Sequence, residues 1–236
     1  MATKLIITWE GIEASGKDTQ DAEVQDYLSS KNIPFESFRE PGSTAYAELT
    51  RNLIKDKEII KKYNEQYNDS LDESESLDPL AEAYLFFAAR AQLFSQIKDI
   101  QDKVILINRS VDSTIAYQGF GRFHGEEKYL NNFLLNNTYA IQGEKIHRTY
   151  FLDISVDEMH ERKQKFVDPE KIVDRMEDNK RDFFERTRQG YLWLAEKNPE
   201  RIKVINGEQP FSDVFNDIKK DLDNLLEEYG YSPKSL

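Results

Sequence analysis

The residues that could carry chemistry begin with a glycine-rich stretch near the start of the chain, Gly11-Ile12-Glu13-Ala14-Ser15-Gly16-Lys17. It matches the pattern G-x-x-x-x-G-K, in which backbone N–H groups and a lysine surround nucleotide phosphates. A turn of this kind that opens a helix also points the positive end of the helix dipole at the anion. We predict phosphate binding here, against the alternative of an ordinary glycine-containing turn. The predicted contact residues are Gly11, Glu13, Ala14, Ser15, Gly16, Lys17, Asp18 and Thr19.

Asp18 departs from this pattern, which places Ser or Thr after the lysine as a ligand of Mg²⁺. A carboxylate there could coordinate the ion, or it could repel the phosphates. It could also be only a favourable charge in the first turn of a helix, worth ~0.3–1 kcal/mol. We predict that Asp18 is a metal ligand, and the other two explanations stay open.

Two arginines follow other strand-like segments. Arg39 begins the run R-E-P-G-S-T at 39–44, and Arg109 lies in N-R-S-V-D-S-T-I-A-Y-Q-G at 108–119. Arginine binds phosphate with two parallel N–H groups. Taken alone, Pro-Gly is only a turn signal and Arg39 a surface residue. The carboxyl ends of parallel strands share one edge of a sheet, so Lys17, Arg39 and Arg109 are predicted to meet in one crevice suited to phosphoryl transfer.

Short apolar segments alternate with amphipathic ones, which predicts an α/β fold: a five-stranded parallel sheet flanked by helices. The predicted strands are 4–9, 35–38, 103–108, 149–153 and 202–206. The predicted helices are 17–31, 45–54, 80–100, 127–138, 156–166, 178–196 and 211–229.

Two segments interrupt this alternation. Residues 55–79 carry many charges and few large apolar side chains, which predicts an acidic surface insertion in the form of a solvated loop. Residues 163–177 are basic and then acidic between two helices, which predicts a lid over a charged ligand. With no internal repeat, the 236 residues are predicted to form a single domain.

Composition excludes several classes of protein. The 44 acidic and 32 basic residues give a net charge of −12, which opposes nucleic-acid binding. Without cysteine, and with three scattered histidines, thiolate or histidine metal sites are not expected. No apolar run approaches the ~18 residues of a membrane span, and the first residues do not resemble a signal peptide. We expect a cytoplasmic protein.

The chain resembles the thymidylate kinase family of P-loop nucleoside-monophosphate kinases. The motifs that carry this resemblance are E-G-x-E-x-S-G-K-x-T-Q at 10–20, R-E-P-G-S-T at 39–44, F-F-A-A-R-A-Q at 86–92, N-R-S-x-D-S-T-x-A-Y-Q-G at 108–119, and D-R-x-E with F-F-E-R-T-R-Q-G-Y-L-W-L-A between 174 and 195. The second and fourth are far more family-specific than the phosphate loop.

The resemblance implies phosphorylation of dTMP to dTDP by ATP with Mg²⁺, in a homodimer. It implies that Glu13 lies near the sugar and the metal, and that Lys17, Arg109 and a lid cation neutralise the transferred group. For the lid cation, Arg162 is favoured over Lys163 and Lys165. The implied acceptor residues are Arg39 and Arg109 for the phosphate, Phe86 for stacking on the base, Arg90, Ser113 and Gln118 for its edge, and Tyr117 for exclusion of a 2′-hydroxyl. Without the resemblance, the aromatic residues around Phe86 would be assigned to the core.

One further departure keeps alternatives open. Asn108 stands where the family has Asp before the arginine, so an acid is missing there while Asp18 adds one. The rival interpretations are a kinase for dUMP, a 5-modified dUMP or a deoxynucleoside, and a nucleotide-binding regulatory module with weak catalysis.

Overall fold

The computed structural model describes residues 2–165 and 180–231. Within them, five β-strands form one parallel sheet: Leu5–Glu10 (β1), Phe35–Arg39 (β2), Val104–Asn108 (β3), Arg148–Asp153 (β4) and Ile202–Asn206 (β5). Their order in the sheet is β2-β3-β1-β4-β5. Each strand boundary lies within one residue of the sequence prediction, so the α/β fold class is confirmed.

Helices cover both faces of the sheet. They are Lys17–Ser30 (α1), Ala45–Lys55 (α2), Ile59–Tyr67 (α3), Pro79–Ile97 (α4), Val111–Ser113 (α5), a π-helix over Thr114–Arg122, Glu127–Ala140 (α6), Val156–Lys165 (α7), Arg181–Lys197 (α8) and Phe211–Glu228 (α9). None of these helices in the described part of the chain is long and apolar enough to cross a membrane.

The structure corrects one local prediction, adds an element that was not predicted, and describes only part of the predicted lid. Residues 55–79 contain the helix α3 rather than a loop throughout, although α3 buries none of its residues. The segment that follows β3 forms a π-helix, which no sequence pattern indicated. Of the predicted lid 163–177, only residues 163–165, the last turn of α7, are among the described residues.

The core explains why β1 is the central strand. All six of its residues are buried, as expected for a strand with helices on both faces. Leu5, Ile7 and Trp9 pack on one face with α1 and α9, and Ile6 packs on the other face with α4. The central position of β1 places the loop that follows it in the middle of one edge of the sheet.

The strand register brings the predicted site residues to that edge. Asn108 at the end of β3 is aligned with Trp9 of β1 on one side and with Arg39 of β2 on the other. Because all the strands are parallel, the residues that follow β1, β2 and β3 emerge side by side.

Candidate active site

The loop between β1 and α1 has the backbone that phosphate binding requires. At Gly11, with φ +151°, a Cβ would lie 2.7 Å from Ser15 Oγ and 2.8 Å from the Leu152 carbonyl oxygen, so a side chain does not fit. Gly16, with φ +89°, adopts the left-handed conformation just before α1. Ser15 Oγ is buried and has no hydrogen-bond partner among the described residues. A buried hydroxyl at a helix start is suited to donate to a phosphate oxygen.

A cleft of about 810 Å³ opens over this loop. Its size lies within the ~300–1,000 Å³ range usual for ligand sites. Every predicted phosphate-loop residue except Gly11 lines it, and so do Arg39, Arg109 and Arg162. The ends of three strands and the helix α7 therefore contribute to one cleft.

Lys17 is a buried cation in the wall of the cleft. Burial lowers its pKa to about 8, and repulsion from Arg109 acts in the same direction. Asp18, Glu13 and Glu10 oppose this shift. A phosphate oxygen beside Lys17 would favour the ammonium form, so the site is suited to an anionic ligand.

Arg109 connects the cleft to a second, smaller cavity. Its φ of +65° is uncommon for a residue with a side chain, and such strain is concentrated at functional sites. Its Nη1 donates to the Gly11 carbonyl oxygen at 3.0 Å, and its Nη2 lies 3.5 Å from Glu13 Oε1. The guanidinium carbon lies 4.9 Å from the centre of the Tyr117 ring. These contacts hold Arg109 between the phosphate loop and the smaller cavity.

Arg39 lies at the open side of the cleft. Its Nη2 contacts Glu48 Oε1 at 2.9 Å, and its side chain is half-exposed. An exposed ion pair of this kind contributes only ~0–1 kcal/mol, so a phosphate can compete with Glu48 for the guanidinium.

Two cleft residues that sequence reasoning missed, Arg51 and Lys55, lie one turn apart on α2. Their i, i+4 spacing after the R-E-P-G run was the available signal.

Arg162 reaches the phosphate loop from α7. It donates to the carbonyl oxygens of Ala14 at 3.3 Å and Gly207 at 2.7 Å, and its Nε contacts Glu158 at 2.6 Å. Lys163 also lines the cleft. These contacts place Arg162 beside the loop that holds Lys17, although the rest of the predicted lid lies outside the described residues.

The two residues that depart from the family pattern contact each other. Asn108 Nδ2 donates to Asp18 Oδ1 at 2.6 Å, and both residues line the cleft. The described residues contain no group of three or more His, Cys, Asp or Glu that could hold a metal alone. Mg²⁺ commonly uses one or two carboxylates together with substrate phosphates and water. The single carboxylate of Asp18 beside the phosphate loop therefore fits an ion that arrives with a nucleotide.

The smaller cavity, of about 60 Å³, adjoins the cleft at Glu13, Lys55 and Arg109. Four further predicted acceptor residues line it: Phe86, Ser113, Tyr117 and Gln118. The Tyr117 hydroxyl donates to Glu13 Oε1 at 2.9 Å. Because the cavity is much smaller than the ~300 Å³ of a typical ligand site, it has room for only part of a nucleotide, and it is continuous with the cleft through the shared residues.

Arg90 is not among the residues that line this cavity. Its side chain is 1% exposed and binds Glu40 Oε2 at 2.8 Å, Asn137 Oδ1 at 2.6 Å and the Ser110 carbonyl oxygen at 2.8 Å. It also donates to the hydroxyl of Thr114, a wall residue, at 3.0 Å. The structure thus places Arg90 behind the cavity wall rather than at its surface.

Glu10 is a buried residue behind the site, and sequence reasoning missed its contacts with Ser113. Its carboxylate accepts hydrogen bonds from the backbone N–H of Ser110 at 2.7 Å, from Ser113 Oγ at 2.6 Å and from the Tyr191 hydroxyl at 2.8 Å. Burial, reinforced by the negative charge of Asp112, raises the pKa of Glu10 to about 7. The signal in the sequence was a carboxylate at the end of an otherwise apolar strand.

A phosphate loop at the end of a central parallel strand, with a second cavity joined to it through Glu13 and Arg109, defines a P-loop nucleoside-monophosphate kinase. The family model described as Thymidylate kinase matches residues 9–218. The chain therefore belongs to the thymidylate kinase family, as the sequence motifs predicted.

Individual relatives cover nearly the whole chain. A thymidylate kinase of Clostridium novyi is 35% identical over 216 residues, which is 90% of this chain and 95% of the relative. One of Kosmotoga olearia is 32% identical over 230 residues, covering 96% and 99%. The crystal structure of thymidylate kinase from Ehrlichia chaffeensis superimposes with a TM-score of 0.66 at 29% identity and covers 93% of this chain and 98% of that one.

Proposed function

We propose that the protein transfers the γ-phosphoryl group of ATP to dTMP and forms dTDP and ADP. The observation that carries this proposal is the junction of the two cavities, where Glu13, Lys55 and Arg109 line both. An acceptor phosphate held at this junction lies next to the end of a nucleotide held by the phosphate loop. The relatives named above are thymidylate kinases, which supports dTMP as the acceptor.

The donor end is formed by the phosphate loop. We assign the backbone N–H groups of residues 11–19 and the ammonium group of Lys17 to the phosphates of ATP. Arg162 lies against the Ala14 carbonyl oxygen and supplies a further cation beside the transferred group. These groups stabilise negative charge in place, so they need little reorganisation during the transfer.

The acceptor end is formed by the smaller cavity. We assign Arg109 and Arg39 to the phosphate of dTMP, and Phe86 to stacking on the base. Ser113 and Gln118 line the base site, and Tyr117, held by its bond to Glu13, faces the sugar. We assign Arg90 to supporting this wall, where it donates to the Thr114 hydroxyl, rather than to direct contact with the base.

An oxygen of the dTMP phosphate attacks the γ-phosphorus of ATP, and the bond from that phosphorus to the bridging oxygen of ADP breaks. The role of the protein is positional and electrostatic, and no covalent enzyme intermediate is required. Mg²⁺, when bound with ATP, neutralises phosphate charge, and Asp18 is the residue we assign to hold it.

We further propose that the protein acts as a homodimer in the cytoplasm, with small molecules rather than nucleic acid as partners. Support for the dimer comes from exposed apolar side chains on α2 and α6, both of which pack against α4. They are Tyr46, Leu49, Leu53, Leu134, Leu135 and Tyr139, and we call them the apolar patch.

A coupled assay of ADP release across acceptors tests the proposed reaction. With ATP and Mg²⁺ present, we expect turnover with dTMP to exceed that with dUMP, and turnover with deoxythymidine to be near background. A higher rate with deoxythymidine would identify a nucleoside kinase. ATP binding without turnover on any of these acceptors would identify a nucleotide-binding module.

A further inference from the structure

Gln118, one of the residues that line the acceptor cavity, is held by a charged residue behind it. Its side chain is 1% exposed, and its Nε2 donates to Glu82 Oε1 at 3.0 Å. Glu82 lies in α4 and is itself 1% exposed. This buried bond fixes the orientation of an amide that lines the smaller cavity.

The chemistry of Glu82 determines which way the amide points. A carboxylate only accepts hydrogen bonds. Arg122 places its Nε 3.3 Å from Oε1 and its Nη2 3.3 Å from Oε2 of Glu82, and so supplies the opposite charge. If the side-chain amide of Gln118 flipped by about 180°, its carbonyl oxygen would face the Glu82 carboxylate and a buried hydrogen bond would be lost. The nitrogen of Gln118 must therefore face Glu82.

This orientation matters because pyrimidine bases differ in the hydrogen-bond donors and acceptors that they present to an amide side chain. Thymine and uracil offer a donor at N3 and an acceptor at O4, whereas cytosine offers an acceptor at N3 and a donor at N4. A glutamine that is free to turn over can match either edge. A glutamine whose nitrogen is committed to Glu82 cannot exchange the places of its carbonyl oxygen and its remaining N–H. With the oxygen facing N3 and the N–H facing position 4, it matches thymine and uracil but sets acceptor against acceptor and donor against donor in cytosine.

We propose that Glu82 is a positioning residue that selects nucleotides with an N3–H donor by fixing the amide orientation of Gln118. The discrimination against cytosine then comes from the buried pair and not from Gln118 alone. The proposal rests on the proposed function, since it takes the smaller cavity as the site of the acceptor base.

The role of Glu82 is tested by calorimetry. The affinities of the full-length protein for dTMP and for dCMP are measured without ATP. In Glu82→Gln the new side chain has nearly the same size but can donate as well as accept, so either orientation of Gln118 is tolerated. We expect the ratio of dTMP affinity to dCMP affinity to fall at least ~10-fold, with dCMP binding more tightly than in the wild type. Asp78→Asn, a charge removal at the start of the same helix, is the matched control and should keep the wild-type ratio.

If the role of Glu82 is purely structural, Glu82→Gln should weaken the binding of dTMP and of dCMP equally. An unchanged ratio of the two affinities would overturn the proposal. If Glu82→Gln does not fold, as judged by thermal unfolding, Glu82→Met decides, because it keeps a side chain of similar length and removes the acceptor that holds the Gln118 nitrogen. The ratio of dTMP affinity to dCMP affinity should again fall, and an unchanged ratio in Glu82→Met would overturn the proposal as well. Absence of dTMP phosphorylation by the wild-type protein would instead defeat the proposed function, so the two failures are distinguishable.

Discussion

Arg109 is the residue on which both halves of the site depend. It contacts the Gly11 carbonyl oxygen in the phosphate loop and lies against Tyr117 in the acceptor cavity. We predict that Arg109→Ala lowers kcat/KM for dTMP by at least ~10²-fold, about 2.7 kcal/mol of transition-state stabilisation, because it removes the cation at the junction. The control is Lys103→Ala, which removes a cation near the opposite end of β3. Steady-state kinetics with near-normal activity in a folded Arg109→Ala would exclude Arg109 from the site.

Two substitutions of Asp18 separate a role in holding Mg²⁺ from simple repulsion of the nucleotide phosphates. If it holds Mg²⁺, Asp18→Asn should raise the Mg²⁺ concentration needed for half-maximal rate, and excess metal should restore much of the activity. If it only repels phosphate, Asp18→Ser should instead bind metal-free ATP more tightly. Calorimetry of ATP binding with and without Mg²⁺ measures both variants, and tighter metal-free binding with an unchanged Mg²⁺ requirement would refute the ligand role.

The individual site residues were predictable where their chemistry is local in the sequence. The phosphate loop, Arg39 and Arg109 each follow a strand directly, so parallel strands were enough to bring them to one cleft. The partners of Arg90 were not predictable, because Glu40, Ser110 and Asn137 come from three distant segments. The contact between Asp18 and Asn108 likewise depends on how the start of α1 lies against the end of β3.

At the scale of elements, Glu10 joins β1 to the turn after β3 and to α8. It accepts hydrogen bonds from Ser110, Ser113 and Tyr191. Because burial raises its pKa to about 7 from 4.5, the folded protein binds the proton more tightly than the unfolded chain. The stabilisation from this proton is complete below pH 4.5 and is lost as the pH rises through about 7.

We therefore predict that Glu10→Gln flattens the pH dependence of stability. Between pH 5 and 7 the free energy of unfolding of the wild type should fall more steeply than that of the variant, by up to ~1.4 kcal/mol per pH unit. Urea denaturation at several pH values measures this difference. Glu127→Gln, at the start of α6, is the matched control on the surface. Equal slopes in the wild type and in Glu10→Gln would show that the buried carboxyl does not titrate as described.

The elements themselves were predictable to different degrees. The strands β1, β3, β4 and β5 could be predicted because each is a short, mainly apolar run between polar segments, whereas β2 (FESFR) has only two apolar residues. The helix α3 was missed although Ile59, Tyr63 and Tyr67 recur at helical spacing, because the charged residues around it favoured a solvated loop and none of its residues is buried. The π-helix over Thr114–Arg122 was missed for a different reason. Seven of its nine residues are buried, so no single apolar face marks it in the sequence.

At the scale of the whole molecule, the apolar patch leads to a prediction about assembly. Large exposed apolar side chains on α2 and α6, which both pack against α4, are expected to be covered by another protein surface. We predict a dimer in solution, and we predict that Leu49→Glu shifts it to monomer because a charge would be buried in the interface. Light scattering after size-exclusion chromatography measures the mass. Leu192→Glu, an exposed leucine on α8, is the control that should remain dimeric, and a monomeric wild type would contradict the prediction.

The reaction as a whole is tested most directly by following the γ-phosphoryl group in a single turnover. Enzyme in excess is mixed with dTMP, Mg²⁺ and ATP labelled in its γ-phosphate, and the products are separated by chromatography. If the phosphate loop and the acceptor cavity work as one site, the label should appear in dTDP in equal amount to the ADP formed, and transfer should stop when dTMP is omitted. Two results would contradict direct transfer from ATP to dTMP. One is release of the label as inorganic phosphate whether or not dTMP is present, and the other is binding of the nucleotides without any transfer.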